Sequence, residues 1–310
     1  MENFKKFHFT AVTSSSTADL AIALKQIGHS ITASGRELTA EVRSKLLSHN
    51  IIDGTYGLNE SNIHAGLNAV ILGQNAESDN PEILKAKALN LNIQSFADAI
   101  YDQTRDKQRI VITGSTGRTT IILMIIHVLD FHKRKFDYAL SGAAGKLSSL
   151  IKLSTAPVII IEGQDVMISS TDSVPAFLKY HHHIGLISGI EWQRSEAYPS
   201  KEDYTHQFAR FAEATPKGGI LIYFDLDPVV AVLSGVSKTE VLQVPYKTHL
   251  SDIEAGHEVL LSSEKKKIPL RISGKHNLQS VSAAQEVVKK IGITSEMFYE
   301  AISSFEVVAH

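Results

Sequence analysis

The chain has 310 residues, 43% of them hydrophobic and 21% charged, with a formal net charge of −2 and no cysteine. That length can carry two domains with cores of their own, and the near-neutral balance supplies no general basic field for nucleic acid. The missing thiols exclude disulfide scaffolds and thiolate metal centres.

Strand-like and helix-like segments alternate along the chain, the pattern of an α/β fold with a mainly parallel sheet. Residues 7–12 read as a strand, and 18–27 as a helix with Thr17 as its N-cap and Gly28 just past its end. A strand at 30–33, a helix at 40–49 and a buried strand at 69–73 follow. Asn80-Pro81 opens another helix, and 92–95 is a short strand. These segments form a first unit, residues 1–104, and the polar, charged stretch 101–108 is the expected linker. The second unit, 105–310, begins with a strand at Ile110. β-Branched runs at 158–161, 184–187 and 220–224 have the composition of buried parallel strands. Residues 201–213 read as an amphipathic helix with Tyr204, Phe208 and Phe211 on one face. Strands at 259–261 and 268–272 flank a charged turn, and helices at 278–291 and 295–303 close the chain. The opening residues lack the apolar run of a secretory signal, and the longest apolar stretch, 121–129, is too short for a bilayer. A cytoplasmic protein without membrane contact is expected.

The chemistry concentrates where the Ile110 strand meets the apolar helix after it, at Thr113-Gly114-Ser115-Thr116-Gly117-Arg118-Thr119-Thr120. Glycines let the backbone close on a phosphate, and amides at a helix start point toward the anion. In the usual pattern a lysine reaches the β/γ-phosphates and a hydroxyl holds Mg2+. Thr119 supplies that hydroxyl, and Arg118 stands where the lysine would. Taken alone, the segment is equally well a tight strand-to-helix turn. Beyond the 158–161 strand comes the acidic segment Glu162-Gly163-Gln164-Asp165. Gly274-Lys275-His276-Asn277 opens the penultimate helix. His181, His182 and His183 are consecutive in an extended segment, so their side chains alternate and do not readily share one ion. They read as a solvated lead-in to the next strand. Asp225 and Asp227 precede Pro228 and read as a turn before a helix.

In order, and over nearly the whole chain, these segments resemble the Mur ligases. Those enzymes use ATP to add amino acids or peptides to UDP-N-acetylmuramate. The nearest branch holds the UDP-N-acetylmuramate–L-alanine and murein-tripeptide ligases, and Asp79-Asn80-Pro81-Glu82 also matches it. The resemblance implies a Rossmann-like UDP-substrate domain at 1–104 and a P-loop-type central ATPase domain with a mainly parallel sheet at 105–310. The chain stops at His310, where the family enters a third domain, so that domain is expected to be absent. The implied cofactors are ATP and Mg2+. Phosphate falls to Gly114, Ser115, Thr116, Gly117, Arg118, Thr119 and Thr120, and adenine to Asn277 with His276 beside it. The metal falls to Thr119 and Glu162, and the diphosphate of a UDP-N-acetylmuramate-type ligand to Thr13, Ser14, Ser15 and Ser16.

The chain departs from the family at several of these positions. Arg118 replaces the lysine, with distortion of the tightly wrapped loop as the expected result, and Thr116 replaces a histidine. The family's Trp-Asp-His is here Trp192-Gln193-Arg194, which sets a positive charge where a dication is expected. Thr13 to Ser16 lack the glycines of the family's diphosphate turn, and Ser34-Gly35-Arg36 lacks an acid. The expectation is a ligase-like protein whose catalysis is weak or lost, with no confident catalytic residue. Two alternatives stay open. One is a non-catalytic nucleotide-binding or regulatory module that associates with a related ligase. The other is a working ligase represented here without its third domain.

Overall fold

The alternating segments build two main parallel sheets in the computed structural model, which describes residues 4–53, 56–74, 76–142, 145, 147–169, 172–235 and 240–306. The first sheet joins β1 (Lys6–Thr10), β2 (Ser30–Ala33), β3 (Ala69–Leu72) and β4 (Ile93–Gln94) in the order β2-β1-β3-β4, all parallel. Its helices are α1 (Ser15–Gln26), α2 (Ala40–Ser48), α3 (Pro81–Ala88) and α4 (Phe96–Gln103). Helix α1 buries Leu20, Ala21 and Leu24 completely. It begins three residues earlier than the sequence suggests, because Ser14 caps it. The Ser14 Oγ accepts the Thr17 N–H at 3.3 Å, which places Thr17 inside the helix instead of at its cap.

The second sheet contains β5 (Gln108–Thr113), β6 (Asp137–Ala139), β7 (Ile151–Lys152), β8 (Val158–Glu162), β11 (Ile184–Ile187), β12 (Ile220–Phe224) and β13 (Leu242–Tyr246). Their order is β13-β12-β11-β5-β8-β6-β7, parallel except for β7. Between β8 and β11 lie the antiparallel pair β9 (Met167–Ser169) and β10 (Asp172–Pro175) and the short helix α6 (Ala176–Lys179). A small antiparallel sheet of β14 (Ser251–Glu254), β15 (His257–Leu261) and β16 (Lys267–Pro269) follows β13. The helices of this half are α5 (Arg118–Phe131), α7 (Lys201–Glu213), α8 (Pro228–Gly235), α9 (Lys275–Lys289) and α10 (Ser295–Ile302). Strand β5 is central, and the chain lays its neighbours down on one side first and then on the other. In open parallel sheets such a reversal leaves a crevice beyond the strand's carboxyl end, the place where ligands bind.

One apolar cluster runs through both halves, from Phe7 and Leu24 to Val287 and Phe298. The stretch 101–108 is not a loose linker. Its start belongs to α4, and its end is stapled by two buried cations. The Arg109 Nη1 donates to the Thr104 carbonyl at 2.7 Å, and the Lys107 Nζ donates to the Ser154 and Ala156 carbonyls at 2.7 Å each. Lys107 also lies 3.1 Å from Asp137, whose side chain is fully buried. The histidine run is corrected too. His182 is 2% exposed, stacks on Phe211 with ring centroids 4.0 Å apart, and pairs through Nε2 with the Thr215 hydroxyl at 2.8 Å. Burial lowers its pKa to about 3, so it stays neutral as a core residue. No described helix is long and apolar enough to cross a membrane. Residues 307–310, at the end of the chain, lie outside the described residues.

Candidate functional site

The loop between β5 and α5 lies in the crevice at the carboxyl end of the central strand. At Gly114 φ is +129°, and a Cβ there would sit 2.2 Å from the Ser188 Oγ and 2.9 Å from the Ser188 nitrogen. Only glycine lets the end of β5 pass the end of β11 that closely. The Ser115 N–H donates to the Gly189 carbonyl at 2.9 Å, and the Ser188 hydroxyl donates to the Thr116 carbonyl at 2.6 Å. Gly117 takes a left-handed conformation with φ +80° as the N-cap of α5. No side chain caps this helix. Its first amides are therefore left for water or an anionic ligand.

Two openings border the loop. A cleft of about 450 Å³ is lined by Ser115, Thr116, Asp165, Gln193, Tyr198 and Tyr204, among others. A smaller pocket of about 190 Å³ lies between Thr116, Gly117 and Thr120 on one side and His276 and Asn277 on the other. The start of α9 thus faces the start of α5. The Gln279 Nε2 donates to the Ser188 carbonyl at 2.7 Å and ties α9 to the crevice, and the Asn277 Nδ2 donates to the Ser273 carbonyl at 2.8 Å. His276 is exposed.

Helix α5 begins at Arg118 itself, and the guanidinium folds back so that Nη1 donates to the Gly114 carbonyl. From there Nε lies 3.9 Å from the Glu162 Oε1 and Nη1 lies 3.5 Å from the Asp165 Oδ1. Both carboxylates have further donors. The Glu162 Oε1 accepts the Thr119 hydroxyl at 2.8 Å, and its Oε2 accepts the Ser141 N–H at 3.0 Å and the Ser141 hydroxyl at 2.8 Å. The Asp165 Oδ2 accepts the Tyr204 hydroxyl at 2.8 Å, and the Asp165 carbonyl accepts the Tyr198 hydroxyl. Burial, reinforced by the Asp165 charge against a hydrogen bond with Ser115, pushes the Tyr204 hydroxyl up to about 12. Tyr204 is therefore a neutral donor over the physiological range.

This donor set fits Mg2+ poorly. Magnesium asks for near-octahedral oxygens at about 2.0–2.1 Å. Thr119 and Glu162, the ligands implied by the resemblance, are hydrogen-bonded to each other with a guanidinium beside them. Two unit charges about 4 Å apart interact by about 4 kcal/mol at an effective dielectric near 20, and a dication would double that repulsion. No group of three or more His, Cys, Asp or Glu among the described residues could hold a metal. Gln193 lines the larger cleft, whereas Arg194 is exposed and does not line it. The positive charge that bears on the carboxylates is that of Arg118.

The serine-rich turn at the start of α1 is closed on itself. The Ser14 Oγ lies 3.2 Å from the Ser16 Oγ and 2.9 Å from the Thr17 Oγ1, and both Ser16 and Thr17 are buried. Thr13 and Ser15 are half-buried beside them. Asp227 belongs to a turn: its Oδ1 accepts the Val229 N–H at 2.9 Å, and its Oδ2 accepts the Ile190 N–H at 2.8 Å. Sequence reasoning passed over Ser141, Ser188, Tyr198 and Gln279, all of which hold the site together. They lie in loops or on a helix far along the chain, with no local pattern to mark them. Asp165 and Tyr204 were visible, one at the end of the acidic motif and the other as a core-facing aromatic, and only the fold brings them together.

No family model matches the chain. The UDP-N-acetylmuramate–L-alanine ligase of Caldicellulosiruptor bescii is 26% identical over 316 residues, covering 97% of this chain and 66% of that enzyme. Its counterpart in Dictyoglomus turgidum is 25% identical over 99% of this chain and 66% of the enzyme. The chain is a Mur ligase homologue. Among solved structures, the UDP-N-acetylmuramate:L-alanyl-γ-D-glutamyl-meso-diaminopimelate ligase of Neisseria meningitides has the same fold, with a TM-score of 0.85 at 15% identity over 99% of this chain and all of that one. The UDP-N-acetylmuramate–alanine ligase of Thermotoga maritima superposes with a TM-score of 0.72 at 19% identity over 97% of this chain and 68% of that one. The α/β fold with mainly parallel sheets is thus that of the Mur ligases. The chain spans just under two thirds of the length of the first curated Mur ligases it matches.

Proposed function

We propose that this Mur ligase homologue binds a nucleotide polyphosphate at the Gly114 loop and that its ligase activity is weak or lost. The carrying observation is the uncapped start of α5 behind Gly114 and Gly117, facing Asn277 across a pocket of about 190 Å³. Free amides at the positive end of a helix suit phosphate, and Asn277 can offer an amide to a base. The residues that would hold the nucleotide are Ser115 to Thr120, His276 and Asn277. ATP-driven ligation rests mainly on positioning and charge neutralisation around the transferred phosphate. Here the Arg118 charge is directed toward Glu162 and Asp165, which supports loss of that function. In this reading residues 1–104 correspond to a UDP-substrate domain and 105–310 to a central ATPase-like domain, in a cytoplasmic protein. A UDP-N-acetylmuramate-type ligand would need the closed serine turn at Ser14 to open.

Calorimetric titration with ADP and ATP, beside an assay of ADP release in the presence of UDP-N-acetylmuramate and amino acids, tests both halves. Nucleotide binding with no ADP release is expected. No heat and no thermal shift at millimolar nucleotide would sink the binding half. A working ligase is the competing reading, favoured by the positive charge that Arg118 retains, and steady ADP release would establish it.

A further inference from the structure

We propose that Arg118 is a tethered cation standing in the place of a divalent metal, so that this site takes phosphate without a metal ion and excludes the ion itself. The phosphate half rests on the nucleotide reading above, and the exclusion half does not. The guanidinium is held at three points, the Gly114 carbonyl, Glu162 and Asp165, and its side chain is only 19% exposed. Glu162, with 5% side-chain exposure, has donors on both oxygens. Asp165 has the Tyr204 hydroxyl on the oxygen that does not face the guanidinium. A metal ion would have to displace the arginine and strip these bonds together.

The choice of arginine over lysine follows from the geometry. A lysine ammonium is a point charge on a flexible stem, whereas a guanidinium is a planar fork that addresses separate acceptors at once and never loses its proton. Here the fork spans a carbonyl and two carboxylates from the first residue of α5. Its charge is permanent and covalently attached, unlike that of an exchangeable ion. An anion arriving at the start of α5 would meet amides and a guanidinium, with no metal needed to bridge it to the protein.

The test uses Mn2+ as a magnetic probe of the 310-residue chain, followed by electron paramagnetic resonance. The wild type should leave Mn2+ free. Arg118→Ala and Arg118→Met, the second keeping the aliphatic packing, should each bind one ion, and adding Glu162→Gln should abolish that binding. In parallel, wild-type affinity for ADP should agree within about twofold between EDTA and Mg2+, and Arg118→Ala should gain about tenfold or more from Mg2+. Glu162-dependent Mn2+ uptake by the wild type, or variants that stay metal-free, would overturn the exclusion half. ADP affinity that vanishes in EDTA would overturn the metal-free binding half. No ADP binding in any buffer would remove the nucleotide reading and the phosphate half with it, while the Mn2+ result would still decide the exclusion half.

Discussion

At the scale of single residues, the two glycines of the phosphate loop have different reasons to be glycine. Gly114 is enclosed: a Cβ would strike the end of β11 at Ser188, and the backbone has φ +129°. Gly117 is open, with nothing nearer than 3.6 Å to the point a Cβ would occupy, and only its φ of +80° disfavours a side chain. Gly117→Ala should therefore cost about 1–2 kcal/mol, the left-handed penalty alone. Gly114→Ala should cost about 3 kcal/mol or more, because strain and collision add. Urea unfolding of the two variants checks this, and equal losses would remove the distinction. The sequence showed both glycines and their spacing but not this difference, since Ser188 is 74 residues further along and becomes a neighbour only when β11 pairs with β5. The same holds for Arg118. Its departure from the lysine pattern is legible in one dimension, whereas its pairing with Asp165 needs the chain folded.

At the scale of elements, helix α3 docks on the first sheet through a buried carboxylate. Glu82 is fully buried, and its Oε2 accepts hydrogen bonds from the Thr10 and Ser34 hydroxyls and lies 3.4 Å from the His8 Nε2. Its Oε1 accepts the Asn59 N–H at 3.0 Å and the Asn62 Nδ2 at 2.8 Å. Burial alone would raise its pKa, but the hydrogen bonds from His8, Ser34, Thr10 and Asn59 outweigh that and lower it from 4.5 to about 2. Because the folded value lies below the unfolded one, the stabilisation is complete above pH about 4.5 and is lost as pH falls toward about 2. Its size is about 3 kcal/mol. Glu82→Gln should flatten the stability profile across that window, and a profile unchanged from wild type would refute the assignment. Sequence reasoning noticed Asp79-Asn80-Pro81-Glu82 and the helix it opens, with Asn80 as cap and Pro81 at the first turn. It found most of the longer helices and the β-branched strands as well. It missed α4 and α6 and the strands β6, β7, β9, β10, β13 and β14, which are too brief to show a clear period and are ordered by what they pack against.

At the scale of the whole molecule, the two parallel sheets are joined by a shared core and by a few polar ties. Asp19 in α1, only 2% exposed, accepts the Leu150 N–H at 2.7 Å ahead of β7, and Lys45 of α2 lies 3.5 Å from its other oxygen. The Gln74 Nε2 reaches the Gln164 Oε1 at 3.4 Å beside the acidic motif. Asp19→Ala would leave a buried N–H without its acceptor, which costs about 1–3 kcal/mol. Asp19→Asn, whose carbonyl still accepts that bond, should recover most of it. Denaturant midpoints give the comparison, and an unchanged midpoint in Asp19→Ala would mean the tie carries no stability. The shared core also leads to the expectation that both halves unfold in one transition.

The chain has a single tryptophan, Trp192. Its indole N–H donates to the Tyr198 carbonyl at 3.1 Å, and the Tyr198 hydroxyl reaches the Asp165 carbonyl, next to the carboxylate that holds Arg118. Its emission therefore comes from one place, two residues removed from the guanidinium. Any ligand that draws Arg118 away from Asp165 should alter the colour or yield of that fluorescence, giving the protein an optical gauge of its own phosphate loop without an added label.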